Sequence, residues 1–382
     1  MLPISRILIL LLSCTFPLYA ETVTITEAPF AAVGDGKTDN RSALGSALAS
    51  LKEGDTLYVP PGNYRVALSD QSLKVPAGVT LLGQGGKSIF LLESSEGAKK
   101  HREFLRVGSE VTIDGVSIER TADFPIVIFP VFGDLSKIAF RNCTINGNKT
   151  LYPDKYCHVI QVGVGNVSDL LLQGLEIRES NYGLFQANSA VGSLDTVLVE
   201  RCLFERNHSS DLEFNSPRGR MQNITVRDCT FRDNLCKSAS AGFAVGFANV
   251  KTGEVVNCHI RNYGSEALHI EDRSGNIRLS GNTIVGASMK QPNGIIMVVN
   301  NSKSVVIDSN YIDARPNQNR PHLILVTAGG KKFPNPSAVA VTDNLLTNGA
   351  KTRTWYLQPG SGPEPSGNIV IPFGDSQKEA GN

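Results

Sequence analysis

Glu213, His269 and Glu271 are the residues of this chain whose types and spacing best suit chemistry. They sit in the alternating stretches Asp211-Leu-Glu-Phe-Asn215 and Ala267-Leu-His-Ile-Glu271, where successive side chains point to opposite faces. Leu212, Phe214, Leu268 and Ile270 then make an apolar face, and Glu213, Asn215, His269 and Glu271 a polar one. Between the two stretches lies Gly242-Phe-Ala-Val-Gly246, which is expected to turn Phe243 and Val245 inward and the small Ala244 and Gly246 outward. Stacked at about 4.8 Å per strand, the three leave a shallow gap flanked by ionisable groups. Two carboxyls about 6.5–9.5 Å apart suit inverting hydrolysis of a glycosidic bond, one as general acid and one activating water. His269 is a candidate proton carrier beside them. Asp211 and Asp272 border the gap. Arg218, Lys237 and Arg273 lie in loops within reach of it as substrate contacts, and Phe185, one stretch earlier, offers a flat face to a sugar ring. Outward acids on a strand are more often simply solvated. This group stands apart because small residues separate its members and the flanking stretches are apolar.

Those stretches belong to a repeat running from Ile126 to Leu346. The same strand recurs as His158-Val-Ile-Gln-Val, Gly183-Leu-Phe-Gln-Ala, Gly294-Ile-Ile-Met-Val and His322-Leu-Ile-Leu-Val, and starts from Gly183 onward lie 28, 31, 25, 27 and 28 residues apart. Strands this short, with no helical period between them, predict coils stacked on one continuous core. The outward columns then read Gln161, Phe185, Glu213, Ala244, His269, Ile296 and Gly163, Ala187, Asn215, Gly246, Glu271, Val298. A further column holds Cys143, Cys202, Cys229 and Cys258 and continues as Asn282, Asn310 and Asn344. It reads as a buried turn ladder, Asn bonding the neighbouring backbone and Cys filling space. Stacking also brings Cys202 and Cys229 within bridging range, so free thiols and disulfides are both compatible with the spacing. No Cys-x-x-Cys pair or His cluster accompanies them, and no metal site is expected there.

Ahead of the repeat, Ala43, Leu44, Ala47, Leu48 and Leu51 fall at helical spacing behind Thr38 and Asp39, either of which can cap a helix. Such a helix suits the open end of a coil stack. Ala32-Val-Gly-Asp-Gly-Lys-Thr-Asp39, Gly54-Asp-Thr56 and Val59-Pro-Pro-Gly-Asn-Tyr64 resemble the opening of pectate-lyase-superfamily and rhamnogalacturonase-like proteins. With the coils, the resemblance covers roughly residues 22 to 346. It implies an all-β, single-stranded right-handed parallel β-helix with an N-terminal capping helix, and a polysaccharide as substrate. The motifs of polygalacturonases, Asn-Thr-Asp, Asp-Asp, Gly-His-Gly and Arg-Ile-Lys, are absent. Ser209-Ser210-Asp211 and Ser265-Glu266-Ala267 stand where two of them belong, and the epimerase signature Asp-Pro-His-Glu is missing too.

Three readings follow. The favoured one is a hydrolase that uses Glu213 and Glu271 and needs no cofactor. The alternative is a lyase that neutralises a uronate carboxylate with Arg218, Arg273 or a Ca²⁺ held by Asp211, Glu213 and Asp272, and abstracts the C5 proton with His269 or Lys237. The third is a non-catalytic polysaccharide-binding protein, favoured by the missing motifs and opposed by the acid–His–acid face.

Residues 1–20 carry one Arg, an apolar run and Leu18-Tyr19-Ala20 before Glu21, the pattern of a secretory signal peptide. Lipidation at Cys14 is the competing reading of the same segment. Removing it takes one of the 37 basic residues and none of the 36 acids, which leaves zero net charge. Neither nucleic acid nor membrane insertion is expected of such a chain, and a secreted or periplasmic monomer is. The β-helix domain is read as 21–373, with its cap over about 21–65 and a polar tail at 374–382. Gly34-Asp-Gly-Lys-Thr38 ends like a phosphate-binding loop, but position 31, where the first glycine belongs, is Ala.

Overall fold

A computed structural model of the chain describes residues 20–95, 100–186, 192–215, 220–238, 241–330 and 333–374. The predicted signal peptide apart from Ala20, the tail beyond Gly374, Ala187 and Arg218 lie outside these residues. The short apolar strands do not pair with their neighbours in sequence. They stack coil on coil into parallel sheets of twelve, thirteen and ten strands, with a two-stranded sheet beside them. One coil shows the plan: Arg220–Arg227 lies in the first sheet, Thr230–Arg232 in the second and Val245–Ala248 in the third. Each strand pairs with its counterpart one coil on, and the fold is the expected all-β parallel solenoid. Its inner faces meet in one continuous core. Phe204 and Phe231, for example, stack across adjacent coils at 4.9 Å with their rings 6° from parallel.

The turn from first to second sheet explains the Cys/Asn column. Arg201, Asp228 and Asn257 take left-handed backbone conformations, with φ of 52°, 54° and 54°, directly before Cys202, Cys229 and Cys258. The three cysteines are buried one above another as free thiols. Further along, the Asn282 N–H donates to Asn310 Oδ1 at 3.0 Å and the Asn310 N–H to Asn344 Oδ1 at 2.9 Å. Their side-chain amides donate to the coil behind, Asn282 to the Val255 carbonyl at 2.9 Å. Polar side chains at this corner thus satisfy turn groups that would otherwise be buried without partners.

The helix Arg41–Ser50 forms and buries Leu44, Ala47 and Leu48. Its boundary residue is Asn40 rather than Thr38 or Asp39. The Asn40 side chain is engaged with Val33, accepting its N–H at 2.7 Å, while Asp39 accepts the Arg41 N–H at 3.1 Å. Sheet pairing already begins under this helix, where Thr22–Thr24 aligns with Thr56–Tyr58.

Two registers depart from the sequence expectation in the third sheet. Glu213 pairs with Gly246 and Asn215 with Ala248, two residues later than the spacing suggested. The reason is the long segment 233–244, which delays the strand to Val245–Ala248. Val245 keeps its inward face and Gly246 its outward one, but Ala244 is buried in the core. Phe243 precedes the strand and turns its ring over the outside. A one-residue slip follows in the next coil: Ile296 pairs with Leu268 inside, and Met297 with His269 outside. Because strand side chains alternate, that slip exchanges the faces of Ile296 and Met297, and Val298 pairs with buried Ile270.

Candidate active site

Glu213 lies on the strand Leu212–Asn215, and His269 and Glu271 lie on Leu268–Glu271, two coils on. Gly246 and Ala248 occupy the coil between. Alternation points all of these outward from the core while Phe214 and Ile270, their neighbours, are fully buried. The result is a cavity of about 320 Å³ lined by Glu213, Asn215, Glu266, His269 and Glu271, with Phe243, Asn293 and Met297 completing the wall. The Phe243 ring packs on the His269 ring at 5.3 Å. It lies so close over Gly246 that a Cβ there would stand 2.2 Å from Phe243 Cε2, so any larger residue would displace the ring.

The electrostatics centre on His269, whose side chain is only 15% exposed. Its Nδ1 is 3.8 Å from Glu266 Oε1 and its Nε2 is 3.3 Å from Glu271 Oε2. Burial alone would favour the neutral ring, but these two carboxylates outweigh it and hold the imidazolium, with the pKa pushed up to about 10. Glu266 is itself buried. That burial opposes its charge, yet His269 and Ser265 bring its pKa down to about 2. Its Oε1 also accepts a bond from Asn293 Nδ2 at 2.6 Å. Glu213 moves the other way: burial raises its pKa above the usual carboxylate range, and the negative charge of Glu271 adds to the rise. One face therefore carries a fixed cation, a carboxylate ion-paired with it and a carboxyl biased toward its neutral form.

Toward the N-terminus the face becomes aromatic. Phe185 is the strand partner of Glu213, and it stacks on Tyr182 at 4.6 Å. His158 packs edge-on against both rings, and Tyr156 lies 4.6 Å from His158. Burial lowers the His158 pKa to about 4, and Gln161 bonds its Nδ1 at 3.1 Å.

The remaining candidates are placed elsewhere. Asp211 does not border the cavity. It is buried behind the sheet, accepting bonds from the Tyr263 hydroxyl and, at 2.7 Å, from Asn207 Nδ2. Its position at the entry to the strand turns it inward, and burial raises its pKa to about 7. Asp272 and Arg273 follow the strand in left-handed conformations, φ 50° and 67°, that carry them off the face. Asp272 accepts a bond from Asn300 at 3.2 Å, and Arg273 is exposed. Asp211, Glu213 and Asp272 consequently do not converge as a set of cation ligands, and among the described residues no three His, Cys, Asp or Glu side chains are gathered for a metal ion. Lys237 lines a different pocket. Sequence reasoning overlooked Glu266, Asn293, Phe243 and Met297. Glu266 precedes its strand, so alternation said nothing of it. Asn293 likewise precedes its strand, and Phe243 and Met297 follow from the two register shifts.

The family described as Rhamnogalacturonase A/epimerase, pectate lyase-like matches residues 28–265. Alginate lyase 7 of Azotobacter vinelandii is 32% identical over 105 residues, 22% of this chain. Mannuronan C5-epimerase AlgE6 of the same organism is 31% identical over 133 residues, 33% of this chain. The matched regions span 12% and 13% of those two relatives. Among solved structures, the A-module of Azotobacter vinelandii mannuronan C-5 epimerase AlgE4 superimposes with a TM-score of 0.59 at 14% identity, covering 91% of this chain and 95% of the module. On the extent of the match from residue 28 to residue 265, the chain belongs to the rhamnogalacturonase A/epimerase, pectate lyase-like family.

Proposed function

We propose that this chain is a polysaccharide lyase that cleaves a uronate-containing polymer by β-elimination in the cavity between Glu213 and Glu271. The observation that carries the reading is His269, a buried imidazolium at the cavity wall between two carboxylates. A uronate C5–H becomes acidic when the charge of the neighbouring carboxylate is offset. The His269 imidazolium supplies positive charge at the cavity wall, shared with Glu266 and Glu271, and the bias of Glu213 toward its neutral form limits the negative charge around it. Glu271 then accepts the C5 proton. The electrons of that bond form the C4=C5 double bond as the C4–O bond breaks. Glu213, biased toward its protonated form, delivers a proton to the departing oxygen. The ring of Phe185 supports the sugar one coil away.

This assignment revises the expected role of His269. An imidazolium has no lone pair to accept the C5 proton, so His269 acts as the electrostatic partner and Glu271 as the base. Hydrolysis, first suggested by the paired carboxylates, finds no support in the two sequence relatives, which are a lyase and an epimerase. Elimination fits them better. Epimerisation shares the C5 abstraction but returns a proton to the other face of C5 and leaves the chain uncut, so only elimination yields an unsaturated end. The test is a panel of uronate and neutral polysaccharides, with ultraviolet absorbance of the unsaturated uronate and new reducing ends followed together. Elimination raises both in step. Reducing ends without absorbance would refute it.

A further inference from the structure

A second pocket, of about 650 Å³, opens at the corner where the second sheet turns into the third. Segments that join the two sheets differ in length: 147–156 and 233–244 are long, while 179–181 and 206–211 between them are short. Lys149, Thr150 and Pro153 of the first long segment and Leu235 to Ser238 of the second line the pocket together with Asn181, Arg206, His208 and Ser209 of the short ones, and Lys290 comes from the segment after Val285. Four of the twelve lining residues are cationic, Lys149, Arg206, Lys237 and Lys290, and none is acidic. This concentration is unusual in a chain whose 37 basic residues nearly match its 36 acids.

The cations are held in place by the fold. Arg120, fully buried, donates to the carbonyls of Gly147 and Tyr152 at 2.7 Å each and fixes the 147–156 segment from behind. Lys149 Nζ donates to the Lys155 carbonyl at 2.9 Å, and Lys290 Nζ reaches the Cys236 carbonyl at 3.1 Å. Arg206 pairs with Glu179 at 2.9 Å, and Lys237 is exposed at the rim. The charges act on one another. Lys149 is driven below its usual pKa by burial and by Arg120, against Asp123 and Asp154, and His208 in the same wall by burial, where Lys149, Arg206 and Lys237 act against Glu179. Such a pocket is suited to an anion. It also adjoins the catalytic face: Asn181 lines it, and the next residue, Tyr182, stacks on Phe185 beside Glu213.

We infer that this pocket binds an anionic substituent of a polysaccharide, a carboxylate or a sulfate ester, and anchors the chain beside the cavity of Glu213, His269 and Glu271. The source of the anion rests on the lyase reading; the presence of an anion site does not. Anchoring of this kind offsets the surplus of carboxylates at the cavity itself and selects acidic over neutral polymers.

Binding of a polyuronate, a sulfated galactan and a neutral glucan is measured by calorimetry at low and high salt, using wild type, Lys237→Glu, Lys237→Arg and Lys303→Glu. Lys303→Glu makes the same charge change on the first sheet. Losing a charge-assisted contact should weaken acidic-glycan binding by about tenfold in Lys237→Glu. Lys237→Arg should restore most of it, and Lys303→Glu should bind like wild type. The same pattern with the sulfated polymer alone would keep the anion site and discard the uronate reading. Equal losses in Lys237→Glu and Lys303→Glu, unchanged binding in Lys237→Glu, or no binding of either acidic polymer would overturn the site, while product analysis would still judge the lyase reading separately.

Discussion

Replacing Glu266 by Gln removes one of the two charges that hold His269 as a cation and keeps the oxygen that accepts from Asn293. At 3.8 Å, with both side chains largely sheltered, an ion pair is worth about 4 kcal/mol at an effective dielectric of about 20. At about 1.4 kcal/mol per pKa unit, the His269 pKa then drops from about 10 to about 7. The raised pKa of the parent stabilises the fold below the unfolded-state value of 6.5, and that contribution is lost only as pH climbs through about 10. In the variant it is lost through about 7. The proton on His269 can be followed by imidazole NMR, and elimination can be timed near pH 6 and near pH 8. Wild type should keep the imidazolium at both. The variant should eliminate at a similar rate near pH 6 and about tenfold more slowly near pH 8, where about a tenth of its His269 stays charged. A wild-type imidazole that titrates near 6.5, or a variant whose titration does not move, would refute the electrostatic argument.

Two further outcomes test the fold around the site. Phe214→Ala should cost about 3–5 kcal/mol, because the ring is fully buried 5.6 Å from Phe247. Asn215→Ala, on the outer face, should cost under about 1 kcal/mol in chemical denaturation; equal losses would mean that the faces are reversed. Asp211 has a folded-state pKa of about 7 against an ordinary 3.8, so the folded state binds the extra proton and stability falls as pH rises from about 4 to about 7. Asp211→Asn should flatten melting temperature against pH across that window, and an unchanged slope would show that Asp211 is not the group responsible.

Much of this was legible in the residues. Alternation in Leu212-Glu-Phe-Asn and Leu268-His-Ile-Glu fixed which side chains face the core, and the coil repeat brought Glu213 and Glu271 to one face from positions far apart in sequence. What escaped was set by loops. The 233–244 segment absorbs extra residues without changing the coil, so spacing alone misplaced Phe243 and Ala244. Ile296 and Met297 are both apolar, and only the observed pairing tells which of them faces His269. Asp211 and Glu266 sit just ahead of their strands, where no period applies: one turns into the core and the other toward the cavity.

The central claim is that Glu213 and Glu271, with His269 between two acids, perform an elimination. It is tested most directly by giving a polyuronate to wild type, Glu213→Gln and Glu271→Gln and following the absorbance of the unsaturated product. Both substitutions keep side-chain size; melting temperature should hold in Glu213→Gln and fall in Glu271→Gln, which loses the carboxylate 3.3 Å from His269, so turnover is compared well below the melting point of each. Turnover should fall at least about 100-fold in each, the lower end of a general acid–base contribution. Wild type releasing unsaturated ends while both variants do not is the predicted result. Full activity in either variant, or wild-type cleavage that yields only saturated ends, would contradict it.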